Sequence, residues 1–311
     1  MRIDVPESAI PGPQGCVATI GVYDGVHLGH RRVVDQLKSE AGNGVEVTVV
    51  TFDRHPLSVL RPEMAPKMLT TLDRKLSLLE EAGVDRCCVI TFDLERSEET
   101  PEHFVKDLLV DRLAVLSIAV GEDFRFGRDR RGDVALLREL GAQYGFTVNS
   151  VPLAEQDDEP ISSTRIRQLV RDGAVDEAAQ LLGRPYSVSG VVEHGDGRGG
   201  PELGFPTANL GLDDSAAQPG PGIYAGTFTR ENGETYVSAI SVGRRPTFYE
   251  AAEPLVECYL IDFSGNLYGE VVEVAFHVKL RDELRFDSVE ALIEQMHLDV
   301  SKTKALLQPL K

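Results

Sequence analysis

Two histidines lie three residues apart in the stretch GVYDGVHLGHRRVV, which spans residues 21–34. His27 and His30 follow an apolar run and precede a segment with the pattern of a helix. A helix start presents free N–H groups and a positive dipole end, and both favour phosphate. Two imidazoles there can hydrogen-bond phosphate oxygens, and Gly25 and Gly29 let the backbone approach a ligand closely. The stretch predicts a polyphosphate site; the alternative is a turn that contains histidine without using it.

A second stretch, ISSTRIRQLV at residues 161–170, has hydroxyls and arginines at a predicted helix start. In a purely structural role, the hydroxyls of Ser163 and Thr164 cap the helix and Arg167 faces water. In a functional role, the same hydroxyls, the free N–H groups and the guanidinium form a second clamp for an anion. Each stretch alone leaves both interpretations open.

A third stretch, LGFPTANL at residues 203–210, follows a glycine-rich turn, GDGRGG. Thr207 and Asn209 are two residues apart, so in an extended strand both side chains lie on one face. Hydroxyl and amide oxygens suit Mg²⁺, a hard cation that retains waters and phosphate ligands. The stretch therefore predicts a site for Mg²⁺ and phosphate, whereas the glycine-rich turn by itself is also typical of a hairpin.

The overall composition is that of a globular protein with two domains. The chain has 311 residues, of which 42% are hydrophobic and 26% charged, and its net charge is −18. A surface this acidic argues against broad nucleic-acid binding, which needs a basic footprint. No apolar run is long enough to span a membrane and the N-terminus lacks the pattern of a signal peptide, so we expect a cytoplasmic protein. The four cysteines show no metal-binding or disulfide pattern, and Cys87 and Cys88, in the apolar run RCCVITF, are expected in the core.

Strands and helices alternate in the first half of the chain. Amphipathic segments predict the helices, including one in which Leu72, Leu76 and Leu79 share a face. Such alternation indicates a parallel sheet flanked by helices, which binds ligands beyond the carboxyl ends of its strands. Apolar, β-branched runs predict the strands, at residues 17–24, 45–53, 86–93, 115–124 and 146–153.

The pattern changes after residue 183. A helix predicted over residues 164–182 ends at Gly183 and Pro185, and short strands with glycine-rich turns follow. Their regular spacing predicts a small antiparallel β-barrel, and SVEALIEQMHLDVSKTKALL predicts a terminal helix that packs on it. The predicted fold class is α/β followed by mainly β, with one domain at residues 1–182 and another at residues 183–311.

GVYDGVHLGH, TFDRHPLSVLRP, GEDFRFG and ISSTRIR together resemble the adenylyltransferase half of bacterial bifunctional riboflavin kinase/FAD synthetases, within the nucleotidylyltransferase superfamily. The resemblance implies that residues 1–182 form a Rossmann-like nucleotidylyltransferase domain that joins FMN to the AMP part of ATP. It also implies that Asp123 and Phe124 line the flavin or nucleotide pocket, with packing as the alternative role for Phe124. The chain departs from the family at Tyr23, where Phe is common, and at Arg54, where Pro is usual.

The same resemblance implies roles for the polar residues of the first and second stretches. His27 and His30 would stabilise the transition state as pyrophosphate leaves. Ser163, Thr164 and Arg167 would hold the β- and γ-phosphates of ATP.

LGFPTANL closely resembles the signature of riboflavin kinases, and GIYAG, VGRRPTF and ECYLIDFSGNLYG match the same domain in the same order. The resemblance implies that residues 183–311 transfer the γ-phosphoryl group of ATP to riboflavin. It assigns Thr207 and Asn209 to Mg²⁺ and the ATP phosphates, and Glu257 to the base that faces the ribityl hydroxyl. From residue type alone, an exposed strand carboxylate is the alternative for Glu257. The loop at residues 199–202 departs from the shorter, basic loop that is common in the family.

The two resemblances predict a bifunctional enzyme of flavin cofactor biosynthesis. Its small-molecule partners would be riboflavin, FMN and ATP, with Mg²⁺ as cofactor and no nucleic acid or membrane. Two other functions fit parts of the pattern: an adenylyltransferase for another phosphorylated acceptor, and a non-catalytic flavin-binding protein. The first shares the histidine turn but does not explain LGFPTANL. The second predicts that the phosphate ligands are lost, whereas all of them are present.

Overall fold

The computed structural model of the protein describes residues 1–152, 154–194, 205–244 and 254–307. The chain divides into two units, Met1–Ser163 and Thr164–Lys311. The first unit is built on a parallel sheet and the second on a closed barrel.

Six parallel strands form the sheet of the first unit: β1 (Arg2–Asp4), β2 (Cys16–Ile20), β3 (Glu46–Phe52), β4 (Arg86–Ile90), β5 (Val115–Gly121) and β6 (Thr147–Val151). Their order in space is β1-β4-β3-β2-β5-β6, and each neighbouring pair is parallel. β2 and β4 are buried along their whole length, as expected for strands that are covered on both faces.

Helices cover the two faces of this sheet and form two separate cores. Cys16 and Ile20 of β2 contribute to one core, and Val17 contributes to the other because successive side chains of a strand point to opposite faces. Cys87 and Cys88 also lie in opposite cores, which confirms the expected packing role of these cysteines. The helices are α1 (Leu28–Glu40), α2 (Leu57–Leu60), α3 (Leu72–Glu81), α4 (Leu94–Ser97), α5 (Pro101–Phe104), which continues as a π-helix (Val105–Arg112), and α6 (Val134–Tyr144).

The strand order reverses at β2, which has β3 on one side and β5 on the other. In an open α/β sheet, ligands bind in the crevice at such a switch point, beyond the carboxyl ends of the strands. His27 follows β2, and Asp123 follows β5. The predicted parallel sheet with flanking helices is therefore confirmed, and two of the predicted site segments continue from the two strands at the switch point.

The first unit differs from the sequence prediction at two strands. The strand predicted over residues 17–24 ends at Ile20, because Tyr23 has a left-handed backbone (φ 54°) that cannot continue an extended ladder. The short strand Arg2–Asp4, at the edge of the sheet, was not predicted. A two-stranded ribbon, β7 (Glu155–Gln156) and β8 (Glu159–Pro160), completes the unit.

Two helices, α7 (Ser163–Asp172) and α8 (Val175–Leu182), follow where the sequence predicted one. Gly173 separates them with φ 81°, and a Cβ at this position would lie 2.7 Å from the hydroxyl of Tyr224. The single-helix prediction was therefore wrong, because a local pattern of helix-forming residues does not reveal this close tertiary approach.

A closed antiparallel barrel follows, in the order β10-β13-β12-β11-β14-β9 with β9 paired to β10. Its strands are β9 (Tyr186–Glu193), β10 (Ala208–Gly211), β11 (Gly222–Thr229), β12 (Thr235–Arg244), β13 (Pro254–Leu260) and β14 (Val271–Arg281). The terminal helix α9 (Val289–Leu307) packs on β11 and β12. The predicted barrel and terminal helix are both confirmed.

An ion pair attaches α9 to the barrel. The Arg281 guanidinium donates to the buried Asp299 carboxylate at 2.7–3.2 Å. None of the helices in the described part of the chain has the length and hydropathy of a membrane span.

Candidate active sites

The turn between β2 and α1 carries both histidines, and we call it, with His27 and His30, the histidine site. His27 is the N-cap of α1, and its Nδ1 accepts the backbone N–H of His30 at 3.3 Å. A capping side chain is held at the helix end where free N–H groups point outward. The predicted helix start is therefore present, with one imidazole built into the cap.

The two imidazoles of the histidine site are stacked. Their ring centroids are 3.6 Å apart at an interplanar angle of 16°, and the Tyr23 ring packs on His30 at a centroid distance of 4.5 Å. The Tyr23 hydroxyl in turn hydrogen-bonds the Thr19 hydroxyl in β2 at 2.8 Å. The stack attaches both rings to the sheet, so they are preorganised rather than free to rotate.

Burial determines the protonation state of His30. It lowers the pKa of the His30 imidazole well below the usual value of 6.5, and the nearby His27 and Lys75 lower this pKa further. His30 is therefore neutral at pH 7. Its Nδ1 is buried and has no hydrogen-bond partner among the described residues. A buried polar atom without a partner is rare in folded proteins, and a bound ligand would satisfy it.

Gly25 and Gly29 are needed in the turn for different structural reasons. Gly25 has φ 84°, a backbone conformation that costs glycine little and other residues more. Gly29 has no special angle, but a Cβ there would lie 3.1 Å from the His27 ring. Gly29 therefore leaves room for the stacked imidazole, whereas Gly25 permits the turn itself.

Asp24 ties the turn to a distant segment of the first unit. Its carboxylate is 1% exposed and accepts the backbone N–H groups of Leu69 and Thr70 at 2.9–3.1 Å. The Gly25 N–H donates to the Thr70 hydroxyl at 3.2 Å. Hydrogen bonds to an ionised group are stronger than neutral ones, so Asp24 holds the turn in place.

Ser163, the first residue of α7, is hydrogen-bonded to the same turn. The Ser163 hydroxyl donates to the backbone carbonyl of Asp24 at 2.9 Å, and both residues belong to the first unit. Thr164 is exposed and Arg167 is half-buried; both follow Ser163 in α7 and belong to the second unit. Of the three predicted phosphate-binding residues in α7, Ser163 is thus brought to the histidine site by a direct bond.

Asp123 and Phe124 lie in the turn that follows β5. The Phe124 N–H closes this turn on the carbonyl of Gly121 at 3.1 Å, and Asp123 is exposed. Phe124 stacks on Phe126 with centroids 5.4 Å apart, and it packs against the hydrophobic core. Phe124 therefore has a packing role, and its turn starts from the strand next to β2.

A second group of predicted residues lies in two barrel strands and just before one of them, and we call Thr207, Asn209 and Glu257 the barrel site; Asn209 is buried. Asn209 in β10 is directly opposite Glu257 in β13. The neighbouring pair, Ala208 and Cys258, is buried, so the alternation of a strand directs Asn209 and Glu257 outward together. Directly opposite residues have Cβ atoms about 4.5–5.5 Å apart. The amide and the carboxylate are therefore neighbours.

Phe205 anchors the segment that leads into β10. Its ring is 5% exposed and makes edge contacts with Tyr259 of β13 and His297 of α9, both at centroid distances of 5.0 Å. Thr207 is half-buried and lies two residues before Asn209. The glycine-rich turn at residues 195–200, the loop at 199–202 and the VGRRPTF arginine Arg245 lie outside the described residues.

Two family models match this chain. A model described as FAD synthetase matches residues 10–165, and one described as riboflavin kinase matches residues 182–307. The bifunctional riboflavin kinase/FMN adenylyltransferase of Escherichia coli (strain K12) is 39% identical over 287 residues, which cover 92% of this chain and 91% of that protein. The chain belongs to the bifunctional riboflavin kinase/FMN adenylyltransferase family.

Similarity to this family extends over both units. The Listeria monocytogenes (serovar 1/2a) bifunctional riboflavin kinase/FMN adenylyltransferase is 38% identical over 299 residues, or 95% of this chain and 93% of that protein. A crystal structure titled macrolide-efflux protein, from Streptococcus pneumoniae, has 30% identity, a TM-score of 0.87 and 98% coverage of both chains. The similarity in sequence to this enzyme family and the similarity in fold to this crystal structure both extend over nearly the whole chain.

Sequence analysis did not identify the roles of two residues at these sites, Asp24 and Phe205. Asp24 lies inside GVYDGVHLGH, but an acid next to a predicted phosphate site gave no reason to assign it a role. Phe205 lies inside LGFPTANL and resembled an ordinary apolar strand residue. Only the tertiary contacts of these two residues reveal their roles, because the spacing of residues along the chain does not show which distant residues they contact.

Proposed function

We propose that this chain converts riboflavin to FMN in its barrel unit and FMN to FAD in its sheet unit, with ATP as the second substrate of each reaction. Membership of the bifunctional family supports both activities. The observation that carries the proposal is that each family-model match contains one preorganised polar site, the stacked imidazoles in one and the Asn209–Glu257 pair in the other. We assign adenylyl transfer to residues 1–182 and phosphoryl transfer to residues 183–311.

The kinase step needs a base and in-line alignment. The 5′-hydroxyl oxygen of riboflavin would attack the γ-phosphorus of ATP as the bond to the β,γ-bridging oxygen breaks, giving FMN and ADP. We assign Glu257 as the group that accepts the hydroxyl proton. Its half-buried position on the outer face of β13 supports this role, because the carboxylate remains accessible to a substrate hydroxyl.

Mg²⁺ fits the donor set of the barrel site. The Asn209 amide oxygen and the Thr207 hydroxyl are hard oxygen ligands, and Mg²⁺ in phosphoryl-transfer enzymes is typically shared between such groups and substrate phosphates. We propose that Thr207 and Asn209 hold Mg²⁺, which would neutralise negative charge on the ATP phosphates. In a chain with a net charge of −18, that neutralisation matters for binding a polyanion.

The adenylyl step needs charge stabilisation but no base. A phosphate oxygen of FMN, already anionic, would attack the α-phosphorus of ATP, and pyrophosphate would leave with the electron pair of the broken P–O bond. We assign His27 and His30 as hydrogen-bond donors to the developing negative charge. Ser163, Thr164 and Arg167 would hold the β- and γ-phosphates, and Asp123 would face the flavin or the nucleotide.

The direct test is incubation of the full chain with riboflavin, ATP and MgCl₂, followed by chromatography of the flavins. We expect FMN to form first and FAD to follow. Unchanged riboflavin with quenched flavin fluorescence would instead indicate a non-catalytic flavin-binding protein. FMN without FAD, together with adenylylation of another phosphorylated acceptor, would indicate an adenylyltransferase of different specificity. We also propose a cytoplasmic location, which the four buried, free thiols support.

A further inference from the structure

Lys75 is buried next to the turn that carries the histidine site, although lysine is almost never fully buried without partners. It lies in α3, and its side chain is 1% exposed. The sequence pattern explains the leucines of this helix as core residues, but it does not explain a cation between them. No role assigned above uses Lys75.

The Lys75 ammonium donates three hydrogen bonds at the carboxyl ends of β2 and β3. Its Nζ lies 2.7 Å from the carbonyl of Phe52, 3.2 Å from the carbonyl of Val22 and 3.2 Å from the hydroxyl of Thr51. These groups leave the two strands on the edge where the histidine site lies. Lys75 therefore fixes the chain one residue before Tyr23, which packs on His30.

The hydrogen bonds around the Lys75 Nζ match the donors of an ammonium. The Thr51 hydroxyl donates its own hydrogen to the Val22 carbonyl at 2.9 Å, so it can only accept from Lys75. All three partners are thus acceptors, and only an ammonium has three N–H donors; a neutral amine has two. Burial lowers the pKa of Lys75, whereas Asp24 and Asp53 oppose this shift. With the Thr51 hydroxyl donating to Val22, an ammonium gives each of the three acceptors one N–H, and we assign Lys75 this charged form.

We propose that Lys75 is a positioning residue of the adenylyltransferase reaction, which anchors the histidine turn and adds a fixed positive charge to a site for polyphosphate. This inference rests on the function proposed above for the first unit. In a chain with a net charge of −18, a buried cation is screened less by solvent and salt than a surface cation. The same charge favours the neutral form of His30, which already faces His27 and Tyr23.

The main test replaces Lys75 by methionine, which has a similar shape and no charge. We expect Lys75→Met to lower kcat for FAD formation from FMN by roughly 10²-fold, with a smaller change in KM for ATP, because the imidazoles act on the transition state. Riboflavin phosphorylation by the same protein should stay within about twofold of wild type. The matched control is Lys38→Met, which removes an exposed lysine that also donates to a backbone carbonyl.

A histidine NMR titration separates the charge of Lys75 from its packing. Lys75→Met should raise the pKa of His30 by about one unit, because a like charge is removed. Thr51→Val loosens the same anchor but keeps the charge, and should leave this pKa within about 0.3 unit of wild type. An equal rise in both variants would overturn the electrostatic part of the inference.

A further test uses the wild-type enzyme, so its result does not depend on whether a variant folds. In ¹⁵N NMR of lysine side chains at pH 7.5, we expect Lys75 to give the signal of a slowly exchanging ammonium. A neutral amine there would overturn the inference, as would full FAD synthesis by Lys75→Met. Failure of the wild-type enzyme itself to make FAD would contradict the proposed function rather than the role of Lys75.

Discussion

The histidine site and the barrel site, which we propose bind the same ligand, ATP, arrange their polar groups on different structural principles. In the first, side chains project from a turn at the switch point of a parallel sheet, and rings stack to hold them. In the second, side chains alternate outward from paired antiparallel strands, and Asn209 faces Glu257 by register. A turn can bring backbone N–H groups and a helix start to a ligand, whereas a strand face presents side chains only.

The difference follows the chemistry that each site is proposed to perform. An anionic phosphate nucleophile needs no base, and in the histidine site His27 is buried and the pKa of His30 is lowered. A hydroxyl nucleophile must lose a proton, and the barrel site has a half-buried carboxylate. The first site therefore needs hydrogen-bond donors for developing charge, and the second needs a carboxylate that a substrate hydroxyl can reach.

The strongest test of the difference between the two sites is to remove the proposed base, Glu257. We expect Glu257→Gln to lower kcat for FMN formation by about 10²–10⁴-fold, since that is the usual worth of general base catalysis, while FAD formation from added FMN stays unchanged. Both rates are measured by flavin chromatography on the full chain. Glu273→Gln, a half-buried strand carboxylate on β14, is the matched control. Normal FMN synthesis by Glu257→Gln would show that the base is elsewhere.

The converse change removes an imidazole from the other site. We expect His27→Ala to lower the rate of FAD formation by about 10²–10³-fold and to leave FMN formation at the wild-type rate, because one preorganised donor is lost. The lost N-cap should also cost about 1 kcal/mol of stability. His103→Ala, at an exposed histidine in the same unit, serves as the control. Loss of both activities together would argue against separate sites.

The stability of the histidine turn depends on Asp24. We expect Asp24→Ala to lower the free energy of unfolding of the first unit by about 1–3 kcal/mol, because the buried N–H groups of Leu69 and Thr70 lose their acceptor. Urea unfolding of the variant measures this loss. Asp35→Ala, at an exposed carboxylate, should change stability by less than about 0.5 kcal/mol. Equal stability of the two variants would contradict the role given to Asp24.

The lowered pKa of His30 predicts a pH dependence of stability. Its pKa is lower in the folded chain than the usual 6.5, so below pH 6.5 the unfolded chain binds the proton first. Stability should therefore fall with decreasing pH, by about 1.4 kcal/mol per unit wherever only the unfolded state is protonated. His30→Gln should remove this part of the slope in urea unfolding at pH 5–7. A slope that survives the substitution would assign it to other groups.

The smallest expected effect concerns the departure from the family at Tyr23. Tyr23→Phe removes the hydrogen bond to Thr19 but keeps the ring on His30, so we expect a loss of about 0.5–1.5 kcal/mol and no more than a twofold change in either activity. Thermal unfolding and both flavin assays measure the two outcomes. A large loss of FAD synthesis would mean that the hydroxyl, and not the ring alone, supports the imidazoles.

Much of this protein follows from local sequence. The pairs His27 with His30 and Thr207 with Asn209 are visible because helix starts and strands impose short, regular spacings. The parallel sheet, the barrel and the terminal helix were predicted for the same reason. The break at Gly173 was missed, because helix propensity on both sides outweighs one glycine until Tyr224 packs against it.

The tertiary structure determined which distant residues these residues contact. The bond from Ser163 to Asp24, the pairing of Asn209 with Glu257 and the burial of Lys75 each join segments that are far apart in the chain. The sequence by itself determined which groups were available, because side-chain chemistry and local backbone preference belong to single residues and short segments. Only folding determined their charge and their neighbours, because burial and strand register depend on the whole chain.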